Sequence, residues 1–298
     1  MRTFLCACTV SMLASSAMAV SFFDDFDSGT SASNWTLFTS NSDNTINFAF
    51  DYSTLGIASA PHSTGGTTIG LYMSVNDKNG AAAGVSAFAK NLNFTGNYWL
   101  EFDMYMSYNG GPGGGTGSTE NFSAGINQSG SAIVWSGSAP SSSVWFTTTG
   151  EGGAARDYRA YKGTTEYSAA SGVYAAGTDG SGNGPQAHQN AYYTSLFAPP
   201  TYETAGAPGK AWTTVRIEQI NNVIYWSMNG KLIATITDSP VNAGTIMLGY
   251  MDMFASLSAE PNKTFVIYDN VRAVPEPMTI VGLSLGMAAL IARKRRAR

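Results

Sequence analysis

Two carboxylates alternate within a short apolar stretch, Tyr98-Trp99-Leu100-Glu101-Phe102-Asp103-Met104-Tyr105-Met106. In extended chain, side chains alternate between faces. Glu101 and Asp103 then share one face with Trp99 and Tyr105, and Leu100, Phe102, Met104 and Met106 take the other. Such a carboxyl pair could hold a cation or a sugar. Taken alone it reads as an exposed polar strand face. The chain has two histidines, His62 and His188. Neither stands in a Gly-x-Ser-x-Gly context, so Ser-His-Asp chemistry is not expected. Two isolated histidines also make a poor transition-metal site, and both are expected to face solvent. Asp24, Asp25, Asp27, Asp269 and Asn270 offer the hard oxygens that calcium prefers. The segment Trp145-Phe146-Thr147 through Arg156-Asp157-Tyr158-Arg159-Ala160-Tyr161 sets dense aromatics beside fixed charge. Sugars stack on aromatic faces and hydrogen-bond to planar polar groups. Trp145, Arg156, Tyr158 and Tyr161 are therefore the candidate glycan contacts.

These residues need a scaffold, and the pattern around them is that of strands. Trp212–Ile220 alternates, with Val215 and Ile217 inward and Arg216 and Glu218 outward. Val223–Met228 follows an Asn221-Asn222 turn, and Asn229-Gly230 is a tight hairpin signal into Leu232–Ile236. Thr245–Met251 and Thr264–Tyr268 complete the set, and helical periodicity is almost absent. Short strands with turn signals every 8–12 residues or so predict a β-sandwich. Gly110–Gly117 reads as a long loop within the domain. It is no phosphate loop, because no Gly-Lys-Ser/Thr follows. A second loop-rich stretch runs from Gly177 to Pro208. The sequence contains no internal repeat.

Composition narrows the partners. The 298 residues are 44% hydrophobic and 12% charged, with 33 glycines and a net charge of -4. The aromatics supply enough surface to bury, so the chain is not expected to be disordered. No basic field is available to hold phosphates, which excludes nucleic acid. Six of the 16 Lys and Arg lie at the ends: Arg2, Arg293, Lys294, Arg295, Arg296 and Arg298. The body is thus strongly acidic and the tail basic.

The N-terminus reads as a secretory signal over 1–19: Met1-Arg2, an apolar run from Phe4 to Leu13, then Ala17-Met18-Ala19 with cleavage between Ala19 and Val20. Both cysteines, Cys6 and Cys8, lie inside it. The exported protein is therefore expected to contain no disulfide, thiolate zinc site or thiol nucleophile. At the other end Val274-Pro275-Glu276-Pro277 precedes an uncharged stretch, Met278–Ala292, and a basic cluster. As a helix that stretch spans roughly 22 Å at about 1.5 Å per residue. It is short for a comfortable membrane span. Residues 274–298 resemble the PEP-CTERM sorting signal of Gram-negative bacteria. The resemblance implies recognition of Pro275, Glu276 and Pro277 by an exosortase, transient anchoring in the inner membrane through the C-terminal helix, and final residence at the cell surface or in the polysaccharide matrix.

The body, 20–273, also has a resemblance. Trp212…Arg216-Ile217-Glu218, Trp226-Ser227-Met228-Asn229-Gly230-Lys231-Leu232-Ile233 and Gly244-Thr245-Ile246 look like the late strands of the concanavalin A-like jelly roll, of laminin G and family 16 glucanase type. The Asp24-Asp25-Phe26-Asp27 opening and the Tyr268-Asp269-Asn270-Val271 close fit its first and last strands, which lie side by side in that fold. That neighbourhood implies calcium at Asp25, Asp27 and Asp269. Family 16 glucanases carry Glu-x-Asp-x-x-Glu on one strand. The nearest match here begins at Glu101 and puts Met106 at the acid position, and a thioether donates no proton. No catalytic residue is assigned. The expectation is an exported, surface-sorted, lectin-like protein without enzymatic activity. A glycan-active hydrolase or lyase and a structural matrix protein without a specific ligand stand as the alternatives.

Overall fold

A computed structural model describes residues 21–276. The expected signal peptide with its Ala19–Val20 junction, Pro277 and the tail helix lie outside the described residues.

Sixteen strands follow in chain order: β1 (Phe22–Asp24), β2 (Trp35–Thr39), β3 (Asn44–Asp51), β4 (Ile69–Val75), β5 (Ala83–Ala89), β6 (Phe94–Thr95), β7 (Tyr98–Ser107), β8 (Asn121–Gln128), β9 (Val144–Thr149), β10 (Tyr158–Lys162), β11 (Thr165–Glu166), β12 (Trp212–Ile220), β13 (Val223–Met228), β14 (Lys231–Ile236), β15 (Ala243–Asp252) and β16 (Phe265–Pro275). The one α-helix among the described residues, α1 (Ala191–Thr194), lies in the loop-rich stretch and is capped by Asn190.

The strands form two antiparallel sheets. Sheet A has the order β14-β13-β12-β7-β16-β4-β3, with β1 also on β16. Sheet B has the order β11-β10-β9-β8-β15-β5-β2, with β6 also on β15. The chain crosses between the sheets repeatedly, as in a jelly roll, and the all-β sandwich expected from the alternation is what forms. β1 does lie beside the last strand, with Asp24 opposite Val271. The two predicted turns hold. Asn221 and Asn222 have φ 52° and 67°, and Asn229 and Gly230 have φ 47° and 74°. Asparagine and glycine tolerate this left-handed backbone, which matches the twist of the paired strands.

Alternation sets three apolar layers. Leu100, Phe102, Met104 and Met106 of β7 meet Phe122, Ala124 and Ile126 of β8 between the sheets. On the outer face of sheet B a second cluster holds Phe88, Trp145, Tyr161, Met247 and Met251 under Val134 and Trp135 of the 129–143 segment. On the outer face of sheet A a third holds Phe265 and Ile267 under Tyr52 and Ile57. Both sheets are therefore partly roofed by their own loops. β16 also runs further than the sequence pattern predicts. Pro275 pairs with Tyr98, and Glu276 N donates to Asn97 O at 2.9 Å. The first two residues of the Pro-Glu-Pro motif thus continue the sheet.

Candidate functional site

Glu101 and Asp103 project from the outer face of sheet A, as alternation requires, but neither stands free. Arg272 Nε donates to Glu101 Oε1 at 3.1 Å, and Arg216 Nη1 lies 3.4 Å from Oε2. Arg216 also reaches Glu218 at 3.0 Å and Glu276 at 3.3 Å. Both guanidiniums lie over the Trp99 ring, 4.4 Å and 5.5 Å from its centroid. Asp103 is fully buried, which corrects the expectation of an exposed face. The segment after β3 folds over it. His62 N, His62 Nδ1, Thr214 Oγ1 and Asn270 Nδ2 all bring donors to its carboxylate at 2.9–3.1 Å.

The histidines also differ from expectation. His62 is 44% exposed, but His188 is only 12% exposed. His188 repeats the His62 arrangement on the other sheet. Its backbone N donates to Asp157 Oδ2 at 3.0 Å and its Nδ1 lies 2.8 Å from the same oxygen. Each imidazole is therefore oriented by a buried aspartate rather than left to solvent. Met106 lies between the sheets, and the β7–β12 register runs without a bulge from Tyr98 to Tyr105. The position expected to carry a glucanase acid therefore faces the core, whatever its side chain.

The calcium set is not assembled. Asp269 pairs across the sheet with Asp103. Its carboxylate accepts Tyr52 OH at 2.8 Å, Ser63 Oγ at 3.0 Å and Asn270 N at 2.7 Å. Burial pushes its pKa up to about 7. Asp24 accepts Ser31 Oγ, Trp35 Nε1, Asn34 Nδ2 and Phe26 N. Asp25 accepts, among the described residues, only the N–H of Asp27, at 3.2 Å. Among the described residues no three Asp, Glu, His or Cys side chains converge as a metal-holding group. Three donors already occupy the Asp269 carboxylate, which leaves little of it to a cation.

The aromatic segment divides by face. Trp145 and Tyr161 form a cross-strand pair on the outer face of sheet B, stacked at 4.2 Å and 5°, and both are buried. Tyr158 points the other way, into the core, stacked on Tyr193 at 3.7 Å with its hydroxyl donating to Gly206 O. These three rings offer no open face to a sugar, which corrects their reading as stacking platforms. Arg156 is 53% exposed and lies 3.4 Å from Glu166.

Glu166 is the residue that the sequence reading missed. Its carboxylate also takes Arg159 Nη1 at 3.0 Å, Tyr161 OH at 3.3 Å and Gln186 Nε2 at 2.7 Å. Beside it, the β10–β11 hairpin and residues Ala139 and Ser141 form an open recess of about 420 Å³, lined also by Lys162, Thr165 and Tyr167. Asp238 fixes two of these groups, at 2.9 Å from Lys162 Nζ and 2.6 Å from Tyr167 OH. The available signal was the Lys162-Gly163 turn, where Gly163 has φ 59°, followed by Thr-Thr-Glu-Tyr. It places a second polar-aromatic strand beside the first.

No family model matches the chain, and no curated protein matches it. Solved structures do resemble it. A Bacillus subtilis protein of unknown function with a galectin-like fold is 9% identical, with 85% of this chain and 94% of that one covered and a TM-score of 0.47. The carbohydrate recognition domain of Emp47p is 10% identical, with 86% and 94% covered and a TM-score of 0.44. A prokaryotic beta-1,3-1,4-glucanase from a mouse hindgut metagenome is 13% identical, with 87% and 99% covered and a TM-score of 0.43.

Proposed function

We propose that this chain is an exported, non-catalytic carbohydrate-binding protein that engages a saccharide at the recess beside Glu166. The observation that carries the reading is the recess itself. Its volume suits one or two sugar rings. It sets the Tyr167 ring beside a fixed ammonium, a fixed carboxylate and the Ser141 and Thr165 hydroxyls. Asp238 and Gln186 hold those groups in place beforehand, so little ordering entropy is lost on binding. The carboxylates that a glycosidase would use do not support a hydrolase. Glu101 is tied to two arginines and Asp103 is enclosed. Sorting by the C-terminal signal, through an exosortase to the cell surface or the polysaccharide matrix, completes the proposal. It rests on the Pro-Glu-Pro motif, the apolar stretch and the basic tail of the sequence.

The test is a panel of acidic and neutral polysaccharides, with retention and release of reducing ends recorded together. Retention without release is expected. Tyr167→Ala and Lys162→Ala should each weaken retention roughly tenfold, the loss of about 1.4 kcal/mol. Release of reducing ends would overturn the non-catalytic reading. Retention unchanged in both variants would move the site elsewhere. For the sorting step, intact mass spectrometry of protein extracted from the native cell surface should show the basic tail removed. A mass that still includes Arg298 would refute it.

A further inference from the structure

The glycine-rich segment Gly110–Gly117 has a use that its sequence does not announce. Gly114 has φ 80°, and a Cβ there would overlap Ser118 Oγ and stand 2.8 Å from Glu151 Cγ. A Cβ on Gly115 would stand 2.9 Å from Asn109 Nδ2. One on Gly153 would stand 2.6 Å from Gly113 O and 3.6 Å from Glu151 Oε1. Glycine at these positions lets the loop backbone close directly over two side chains, Glu151 and Asn109.

Both are shut from solvent, at 1% and 3% exposure. Among the described residues Glu151 Oε2 has no hydrogen-bond partner, and neither has Asn109 Oδ1. Asn109 Nδ2 donates to Thr116 O at 3.2 Å, which fixes the amide and leaves its oxygen as the unpartnered end. Burial and the nearby Asp157 carboxylate disfavour charge on Glu151, and Glu151 in turn disfavours charge on Glu120, which is also buried. Among the described residues no Lys or Arg pairs with Glu120 or Glu151. The His188 ring packs on Gly152, but its Nδ1 is held by Asp157. Buried acceptors of this kind ordinarily find donors or a cation. Gly153 N reaches Glu151 Oε1 at 3.4 Å, but among the described residues Glu151 Oε2 and Asn109 Oδ1 stay buried beneath the loop without a hydrogen-bond partner.

We propose that the Gly110–Gly117 loop closes a hard-cation site in which Glu151 and Asn109 are the side-chain ligands and loop carbonyls complete the shell. Calcium fits best. It takes six to eight oxygens in irregular geometry, mixing carboxylate, amide and backbone carbonyl. Magnesium demands a tighter octahedron, and zinc prefers nitrogen and sulfur. This site is separate from Asp25, Asp27 and Asp269. It is also separate from Asp179, whose carboxylate already accepts the N–H groups of Ser181, Asn183 and Ala191.

The test is the thermal midpoint of the full protein at pH 7.5 in chelator, in millimolar calcium and in millimolar magnesium. Calcium should raise the midpoint by several degrees, and magnesium by less. Glu151→Gln replaces the carboxylate by a neutral group of the same size, so the variant should fold and lose most of the calcium shift. Asp269→Asn and Asp179→Asn should keep it. Terbium, a calcium substitute excited through nearby Tyr108, should luminesce with the parent and not with Glu151→Gln. The proposal is overturned by a midpoint that ignores calcium. A calcium shift that survives Glu151→Gln, or disappears with Asp269→Asn or Asp179→Asn, overturns it equally.

Discussion

Burial without a counter-charge is the recurrent residue-scale feature. It pushes Glu151 up to about 8 and Asp269 up to about 7. An acid with a higher pKa folded than unfolded binds its proton more tightly in the native state. The stability tied to it is complete below the ordinary carboxylate range and is lost as pH rises through the folded value. In calcium-free buffer the unfolding midpoint should therefore fall between pH 5 and pH 9. Glu151→Gln and Asp269→Asn should each flatten that fall. Asp179 acts oppositely: hydrogen bonds from Ser181 and Asn183 lower its pKa, so its contribution is lost only in strong acid. A parent midpoint that is level across pH 5–9 would contradict this account. Tyr158 tests burial in a different way. Tyr158→Phe leaves the Gly206 carbonyl unpaired and should cost about 1–3 kcal/mol. Tyr158→Ala should cost about 3–5 kcal/mol by opening a cavity against Tyr193. Glycan retention by Tyr158→Phe should match the parent, because the ring faces the core and not the recess; denaturant titration and retention assays check the pair.

At the scale of elements, the loops that roof each sheet decide which strand residues are accessible. The 129–143 segment reaches sheet B because Gly84 leaves room for Trp135. A Cβ at Gly84 would stand 2.6 Å from Trp135 Cγ. The segment is tied down by Ser86 Oγ donating to Val134 O at 2.8 Å. Gly84→Ala should therefore displace Trp135, shift tryptophan emission to longer wavelength and cost about 1–3 kcal/mol. Unchanged emission and an unchanged urea midpoint would mean that the roof packs differently. The last strand illustrates the same dependence on neighbours. Alternation from Thr264 to Tyr268 marks its start, but its end is set by Tyr98 and Arg216, which hold Pro275 and Glu276 from β7 and β12. No local pattern in Val274-Pro275-Glu276 carries that information.

For the whole molecule, the two packed sheets and their roofs leave stability to apolar burial and backbone pairing. No cysteine occurs in residues 21–276, so a body of those residues should unfold at the same temperature with and without reductant. In the exported protein, a midpoint lowered by reductant would show that Cys6 or Cys8 is retained and bonded. The recess at the β10–β11 edge lies on a body whose two broad faces are partly roofed by their own loops.

The fold class was legible because strand alternation and Asn-Gly turns are local: Leu100, Phe102, Met104 and Met106 must share a face whatever lies opposite. The neighbourhood of β1 and β16 came from the resemblance and holds. Alternation put Met106 on the face of Leu100, Phe102 and Met104, and all four do lie in the core between the sheets. The accessibility of Trp145, Tyr158 and Tyr161 was not legible, because it depends on how the irregular segments 129–143 and 177–208 fold back over them, which strand alternation does not show. Nor could spacing show that Asp103 would be buried by His62, that Asp269 would face Asp103 rather than Asp25, or that Glu166 would gather Arg156, Arg159, Tyr161 and Gln186. Alternation fixes the side of a strand on which a residue lies. What covers that side is set by contacts between parts of the chain that only the tertiary structure brings together.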